Sequence, residues 1–281
     1  MVVVETLLIL LVASVFIGII GSMLGIGGGI FLVPIMTLGL GIDIKIAAAT
    51  SLVTIIVTSS TSASRFLRQG FVNVKLGMFL EMFTVSGAII GAFLVTYLTP
   101  QSIEVVFGFV LIYTAFYMWL RKEVECRLLE GDSPGASHSG RFDGSIHDEN
   151  AGKACRYEVK NIPRGVAASF IAGNLSGLIG VGGGIVKVPA MNLWMGVPIK
   201  AATATSNFMI GVTAVASALV YLSNGLIAPV VTSVAAIGIF IGAIIGSRIM
   251  IKMAGGTLKA AFALLLVVIA VLMFVRAGGL M

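Results

Sequence analysis

The sequence predicts an all-α polytopic membrane protein made of two inverted-topology repeats. Each repeat has about five helical elements, with glycine-rich breaks before short half-helices. Three observations carry this. Of 281 residues, 58% are hydrophobic and 11% charged, with a mean hydropathy of +1.09; a soluble domain carries about 25% charged residues. The charge is also concentrated, because residues 121–164 hold eight of the eighteen Lys/Arg and eight of the twelve Asp/Glu. Third, a glycine-proline motif recurs at an offset of 155 residues. A surface so poor in charge cannot be kept in water, which excludes a soluble enzyme, a nucleic-acid binder and a disordered chain.

A membrane span needs about 20 apolar residues. Stretches of that kind fall at 2–24, 44–67, 74–98, 102–120, 163–181, 199–222, 226–250 and 258–276. The first lacks the basic flank of a signal peptide and runs on too far, so it reads as a retained span. Two shorter apolar pieces, 29–41 and 184–196, follow glycine runs, carry Pro34 and Pro189, and read as half-helices. The chain thus divides into a first transmembrane repeat (1–120), a polar loop (121–162) and a second repeat (163–281).

The duplication is visible residue by residue. Gly25-Ile26-Gly27-Gly28-Gly29-Ile30-Phe31-Leu32-Val33-Pro34 aligns with Gly180-Val181-Gly182-Gly183-Gly184-Ile185-Val186-Lys187-Val188-Pro189. The register holds without a gap through Ala49-Thr50-Ser51 with Ala204-Thr205-Ser206, and through Gly87-Ala88-Ile89-Ile90-Gly91 with Gly242-Ala243-Ile244-Ile245-Gly246. Across 25–91 against 180–246 there are 28 identities in 67 positions, far more than shared hydrophobicity produces.

Charge predicts opposite orientations for the halves. The connection near 65–75 carries Arg65, Arg68 and Lys75, while its counterpart near 220–230 carries no charge. Conversely 96–102 is uncharged, while its counterpart region holds Arg248, Lys252 and Lys259. Basic loops mark the cytoplasmic side, so the halves are inverted, which requires an odd number of elements in each. Five per half places the central loop in the cytoplasm and both termini outside, in the cell inner (cytoplasmic) membrane; Arg276 alone does not fit. Residues 121–164 are neutral, so the net charge of +6 belongs to topology and not to a nucleic-acid surface.

The glycine runs carry the candidate chemistry. Gly27, Gly28 and Gly29, with Gly182, Gly183 and Gly184, let backbone N–H groups approach a ligand closely. A helix starting just after them turns free N–H groups and a positive dipole end towards it. The duplicated loops are therefore read as an anion site near the midplane, with tight helix packing as the alternative. Lys187 is an intramembrane cation that an anion would relieve, or a snorkelling lysine. Thr50, Ser51, Thr205, Ser206 and Asn207 follow one crossing later and offer donors to ligand oxygens, or bond to neighbouring helices. Glu81 is the one acidic residue well inside a predicted span. It is read as an ion-coupling group, as lining a polar crevice, or as the partner of a basic side chain. Lys45 and Lys200 are read as interfacial anchors. Asn174 and Asn192, which flank the second loop, are weaker candidates.

His138, His147, Cys126 and Cys155 all lie in the loop at spacings that fit no compact zinc pattern. No metal and no cofactor is expected, and residues 131–140 read as a flexible linker. With no haem, metal or thiol constellation in the spans, enzymatic chemistry is not expected either.

The duplicated Gly-x-Gly-Gly-Gly-(x)4-Pro, the Ala-Thr-Ser that follows it and the Gly-Ala-Ile-Ile-Gly spans resemble the sulfite exporter TauE/SafE family. The resemblance covers roughly 18–120 and 163–276 and omits the loop. It implies a secondary transporter that exports small sulfur-containing anions, sulfite or organosulfonates, driven by an ion gradient. The expected partners are a small anionic substrate, a coupling proton or cation, the lipid bilayer and a second copy in a homo-oligomer. A passive anion channel on the same scaffold has the same lining and is the alternative.

Overall fold

The computed structural model describes residues 2–95, 97–99, 127–128, 141–148 and 153–253, with single positions between 102 and 112 and between 257 and 271. The expected spans at 102–120 and 258–276 therefore lie almost wholly outside the described residues, as does the linker at 131–140. In chain order the elements are α1 (Val2–Leu24), α2 (Gly29–Pro34), α3 (Ile44–Arg68) and α4 (Val74–Leu94). Then come β1 (Arg127–Leu128), β2 (Gly144–Asp148) and β3 (Lys153–Tyr157). The second half has α5 (Ile162–Ile179), α6 (Gly184–Pro189), α7 (Ile199–Ser223) and α8 (Pro229–Lys252). Among the described residues, five helices are long and apolar enough to cross a membrane: α1, α3, α4, α7 and α8. Their outward faces are apolar, with Phe16, Met78, Met82, Leu219 and Ile237 all more than half exposed, as contact with lipid requires.

Local chemistry sets the boundaries. The Asp43 carboxylate accepts from Lys45 N–H before α3, and the Asn73 side chain accepts from Leu76 N–H before α4, both N-caps. Pro229 opens α8, where its missing N–H costs nothing. Pro34 and Pro189 end the short helices. A proline cannot donate to the helical ladder, and in both halves the chain widens into a π-helical turn, Ile35–Gly39 and Ala190–Trp194.

Helices approach most closely across the two halves. α1 packs on α8 and α4 packs on α5, each through small residues. A Cβ at Gly242 would come 2.1 Å from the Val15 carbonyl oxygen, and one at Gly87 would come 2.2 Å from that of Phe170. These contacts are repeat-equivalent with partners exchanged. Along both pairs the contacts rise together, from Leu11 at Gly238 to Ile19 at Gly246, and from Phe170 at Gly87 to Asn174 at Gly91, so each pair runs parallel. α4 and α7 also run parallel, since Asn73 N–H donates to Thr205 Oγ1 at 3.0 Å and Gly77 lies against Thr205 and Met209. α3 and α7 cross in opposite directions. Ile55 and Ile210 meet over Gly27, Ser59 bonds the Asn207 carbonyl at 2.5 Å, and Ser62 reaches the Asn207 side chain at 3.5 Å.

The polar loop is more than a linker. Its strands form an antiparallel sheet in the order β1-β3-β2, with Ile146 opposite Cys155. Ile146 and Tyr157 are buried. Asn73 holds the sheet to the start of α4, its Nδ2 donating to the Phe142 carbonyl at 2.8 Å and to the Tyr157 hydroxyl at 3.2 Å. The Phe142 ring lies 5.0 Å from Phe79. His147 and Cys155 fall on β2 and β3, whereas Cys126 and His138 lie outside the described residues.

Candidate functional site

Both glycine loops lie at the centre, pressed against each other. Gly28 and Gly183, the caps of α2 and α6, have φ of 82° and 70°, a region that L side chains rarely adopt. A Cβ on Gly29 would sit 2.7 Å from the Gly180 carbonyl oxygen, and one on Gly184 would sit 2.2 Å from that of Gly25. Each loop is also held by the other half. Ser51 Oγ donates to the Gly180 carbonyl at 2.5 Å, and Ser206 Oγ donates to the Gly25 carbonyl at 2.7 Å. These two bonds are again repeat-equivalent with partners exchanged.

The structure thus brings the expected residues together and gives most of them protein partners. Thr50 shares a hydrogen bond with Thr232 at 3.0 Å. Thr205 accepts from Asn73 N–H, and Asn207 Nδ2 donates to the Ser22 carbonyl at 2.9 Å. Gly27 and Gly182 are buried, with Ile55 close to both. Of the weaker candidates, Asn192 is buried and donates to the Val197 carbonyl at 2.9 Å, while Asn174 backs the close approach of Gly87 and Gly91. Lys45 is half-buried and Lys200 is buried.

Lys187 and Glu81, far apart in sequence, form an ion pair. Lys187 Nζ lies 3.4 Å from Glu81 Oε2, with the lysine 1% exposed and the glutamate side chain 10%. The ammonium also donates to Thr213 Oγ1 at 3.1 Å, and Thr213 donates to Glu81 Oε1 at 2.5 Å. This excludes the snorkelling reading of Lys187. The lysine stem folds back towards the N-terminus of α6, as helical side chains do, so a Cβ on Gly183 would be 3.3 Å from Lys187 Cε. The pair therefore lies directly over the second glycine loop. The repeat equivalents of Lys187, Thr213 and Glu81 are Leu32, Thr58 and Ala236, so the two charges break the symmetry of the core.

Several buried hydroxyls escaped the sequence reading: Thr213, Ser176, Ser217, Ser59 and Tyr221. The repeat held a signal for two of them, since Thr58 aligns with Thr213 and Ser62 with Ser217. Tyr221, whose hydroxyl donates to the Gly177 carbonyl at 3.0 Å, matches Phe66 and offered no such signal.

Comparison with known proteins fits this architecture. The family model described as Sulfite exporter TauE/SafE matches residues 10–273. The chain belongs to that family. It is similar to the probable membrane transporter protein YunE of Bacillus subtilis (strain 168), at 29% identity over 224 residues, covering 77% of this chain and 78% of that protein. It is also similar to the probable membrane transporter protein MJ0441 of Methanocaldococcus jannaschii, at 28% identity over 221 residues, covering 76% and 72%. A third relative, the probable membrane transporter protein YdhB of Bacillus subtilis, is 23% identical over 254 residues, 90% of this chain and 94% of its own. No solved structure matches. This TauE/SafE chain is a multi-pass membrane transporter.

Proposed function

We propose that this TauE/SafE protein is a secondary transporter that exports small sulfur-containing oxyanions, sulfite or organosulfonates, by alternating access between two inverted halves. The observation that carries the reading is the reciprocal seating of the glycine loops, each held by the serine of the other half. A pair of loops interlocked across the repeat boundary is the element that relative movement of the halves would part. Movement that parts them frees the N–H groups beyond Gly28 and Gly183, the Ser51 and Ser206 hydroxyls and the Lys187 ammonium for an anion. The sulfur in the proposal comes from the family.

Helix directions support the inverted arrangement. α3 and α7 occupy matching places in the repeat and cross in opposite senses, while α1 runs with α8 and α4 with α5. With those directions the basic ends of α3 (Arg65, Arg68), α4 (Lys75), α5 (Arg164) and α8 (Arg248, Lys252) fall on one face. That face also holds the polar sheet, and by the positive-inside rule it is cytoplasmic. The start of α1 falls on the opposite face.

Reconstitution into proteoliposomes tests the function. Carrier-type export predicts saturable sulfite flux and accumulation against a concentration gradient, lost in Gly28→Trp and Gly183→Trp. Unchanged flux in both variants would remove the glycine loops from the path. Flux that never saturates and never accumulates would instead identify a passive anion channel.

A further inference from the structure

Within the core, one polar cluster carries charges that the repeat does not duplicate, and buried hydroxyls without a partner stand on the helices that supply it or pack against it. Glu81 of α4, Lys187 of α6 and Thr213 of α7 close a ring of hydrogen bonds. Ser217 lies one turn beyond Thr213 on the same face of α7. Ser176 of α5 lies one turn beyond Ala172, whose carbonyl abuts Gly183. Both serines are wholly buried, and neither hydroxyl has a hydrogen-bond partner among the described residues. Their repeat equivalents are Gly21 and Ser62, and Ser62 is bonded to the Thr58 carbonyl. Buried hydroxyls without partners are uncommon and mark a place where another group belongs. Ser14 and Thr203 are likewise unpartnered among the described residues, but Ser217 shares a helix with Thr213 of the ring, and Ser176 stands on the helix that packs against Gly183 beneath Lys187.

We infer that this cluster is a proton-exchanging seat for one oxyanion, in which the anion displaces the Glu81 carboxylate from Lys187 and Glu81 takes up a proton. The inference rests on the transport reading above and adds its coupling. The charge balance is simple. Without an anion the Lys187–Glu81 pair holds one ammonium and one carboxylate and is neutral. Adding a monoanion alone would leave net negative charge in a low-dielectric core, which is strongly disfavoured. Adding the monoanion with one proton leaves ammonium, bound anion and neutral carboxylic acid, again neutral. Thr213 serves both states, since its hydroxyl donates to the carboxylate now and can accept from the carboxylic acid afterwards. Ser176 and Ser217 supply the neutral donors that the three oxygens of a sulfite or sulfonate use besides the ammonium.

The other ionisable groups on the packed elements sit at helix ends: Lys75 on α4, Arg164 on α5, and Lys200 and Tyr221 on α7. Tyr221 is occupied by the Gly177 and Leu178 carbonyls. Among the described residues, Lys187 is the charged group paired with Glu81, so exchange at this pair sets the proton count.

Methanesulfonate tests this, because its single charge is fixed at every working pH and any proton taken up belongs to the protein. The purified full-length protein is titrated with methanesulfonate and with sulfite, and proton uptake is followed with an indicator dye in weak buffer. The expected result is one proton taken up per methanesulfonate bound, with Kd weakening about tenfold per pH unit on the alkaline side of the transition. Glu81→Gln should bind with no proton uptake and no pH slope, and Lys187→Gln should not bind. Binding to the wild type without proton uptake would overturn the inference while leaving the transport reading intact, as would a pH slope kept in Glu81→Gln. Should that variant not fold, the wild-type proton count alone decides. No binding and no flux of either probe would overturn both.

Discussion

Ser51 donates its hydroxyl to the Gly180 carbonyl at 2.5 Å, joining the start of one half's third helix to the other half's glycine loop. Ser206 and Gly25 repeat the bond at 2.7 Å. Neither carbonyl can take water in place of the lost donor, so removal of either hydroxyl leaves a buried acceptor unpaired, worth about 1 kcal/mol. Ser51→Ala and Ser206→Ala are expected to lower Tm in detergent by similar amounts. The double variant should depart from additivity, since both bonds hold one interlock. Full additivity would mean that the loops are braced independently.

Gly184 admits no side chain. A Cβ there would meet the Gly25 carbonyl oxygen at 2.2 Å and Ile26 Cα at 2.9 Å, both backbone atoms that cannot swing aside. Gly184→Ala should destabilise the protein by about 1–3 kcal/mol, the usual range for overpacking. Gly225, with nothing within 4 Å of its Cβ position but a φ of 67°, should suffer less from the same substitution. Thermal melting of the two variants side by side separates the effects of contact and backbone strain.

The buried pair predicts a non-additive cycle. Lys187→Met leaves the Glu81 carboxylate buried without its cation, and Glu81→Met strands the ammonium. Either change is expected to cost about 3–5 kcal/mol, whereas replacing both should recover most of that loss. A double variant as unstable as the sum of the singles would mean that the pair contributes packing and not charge compensation. Melting temperature and monodispersity on size exclusion are the readouts.

In the polar sheet, Tyr157 sets a pH limit. Burial pushes its phenol above the ordinary tyrosine value, and the nearby Asp143 charge adds to that, while the Asn73 bond acts the other way. A group with a raised folded-state pKa contributes stability below its unfolded value, near pH 10, and loses it as pH rises through the folded value. Docking of β2 and β3 should therefore hold at neutral pH and weaken under strongly alkaline conditions. Hydrogen exchange of β2 and β3 should rise there, and Tyr157→Phe should remove the pH dependence. Asn73→Ala should raise exchange in the sheet even at neutral pH, because it cuts both bonds to Phe142 and Tyr157.

Much of this was legible in the chain itself. The 155-residue offset located α3 and α7, the glycine breaks and the short helices ended by Pro34 and Pro189, because helix breaking and apolar run length are local properties. The repeat also points to Ser51 and Ser206, but their partners, the Gly180 and Gly25 carbonyls of the opposite halves, are set by how the helices cross and not by the local sequence. The sheet of β1, β2 and β3 is not legible in the sequence because strand pairing is non-local and a short charged stretch has the composition of a linker. Thr213 was passed over although Thr58 matches it, since a lone threonine in a helix most often bonds its own preceding turn.

By itself, then, the sequence determined a duplicated membrane chain of the TauE/SafE family, five of its long apolar helices, its glycine breaks and the scarcity of buried charge that narrows any site. Tertiary structure alone decided that Lys187 and Glu81, 106 positions apart, meet at 3.4 Å over a glycine loop, and that each half grips the other's loop. Hydrophobic runs and helix breakers act within a few residues and are written in order along the chain. Which buried charge finds which partner depends on how four helices cross, and only a low-dielectric interior makes that meeting obligatory.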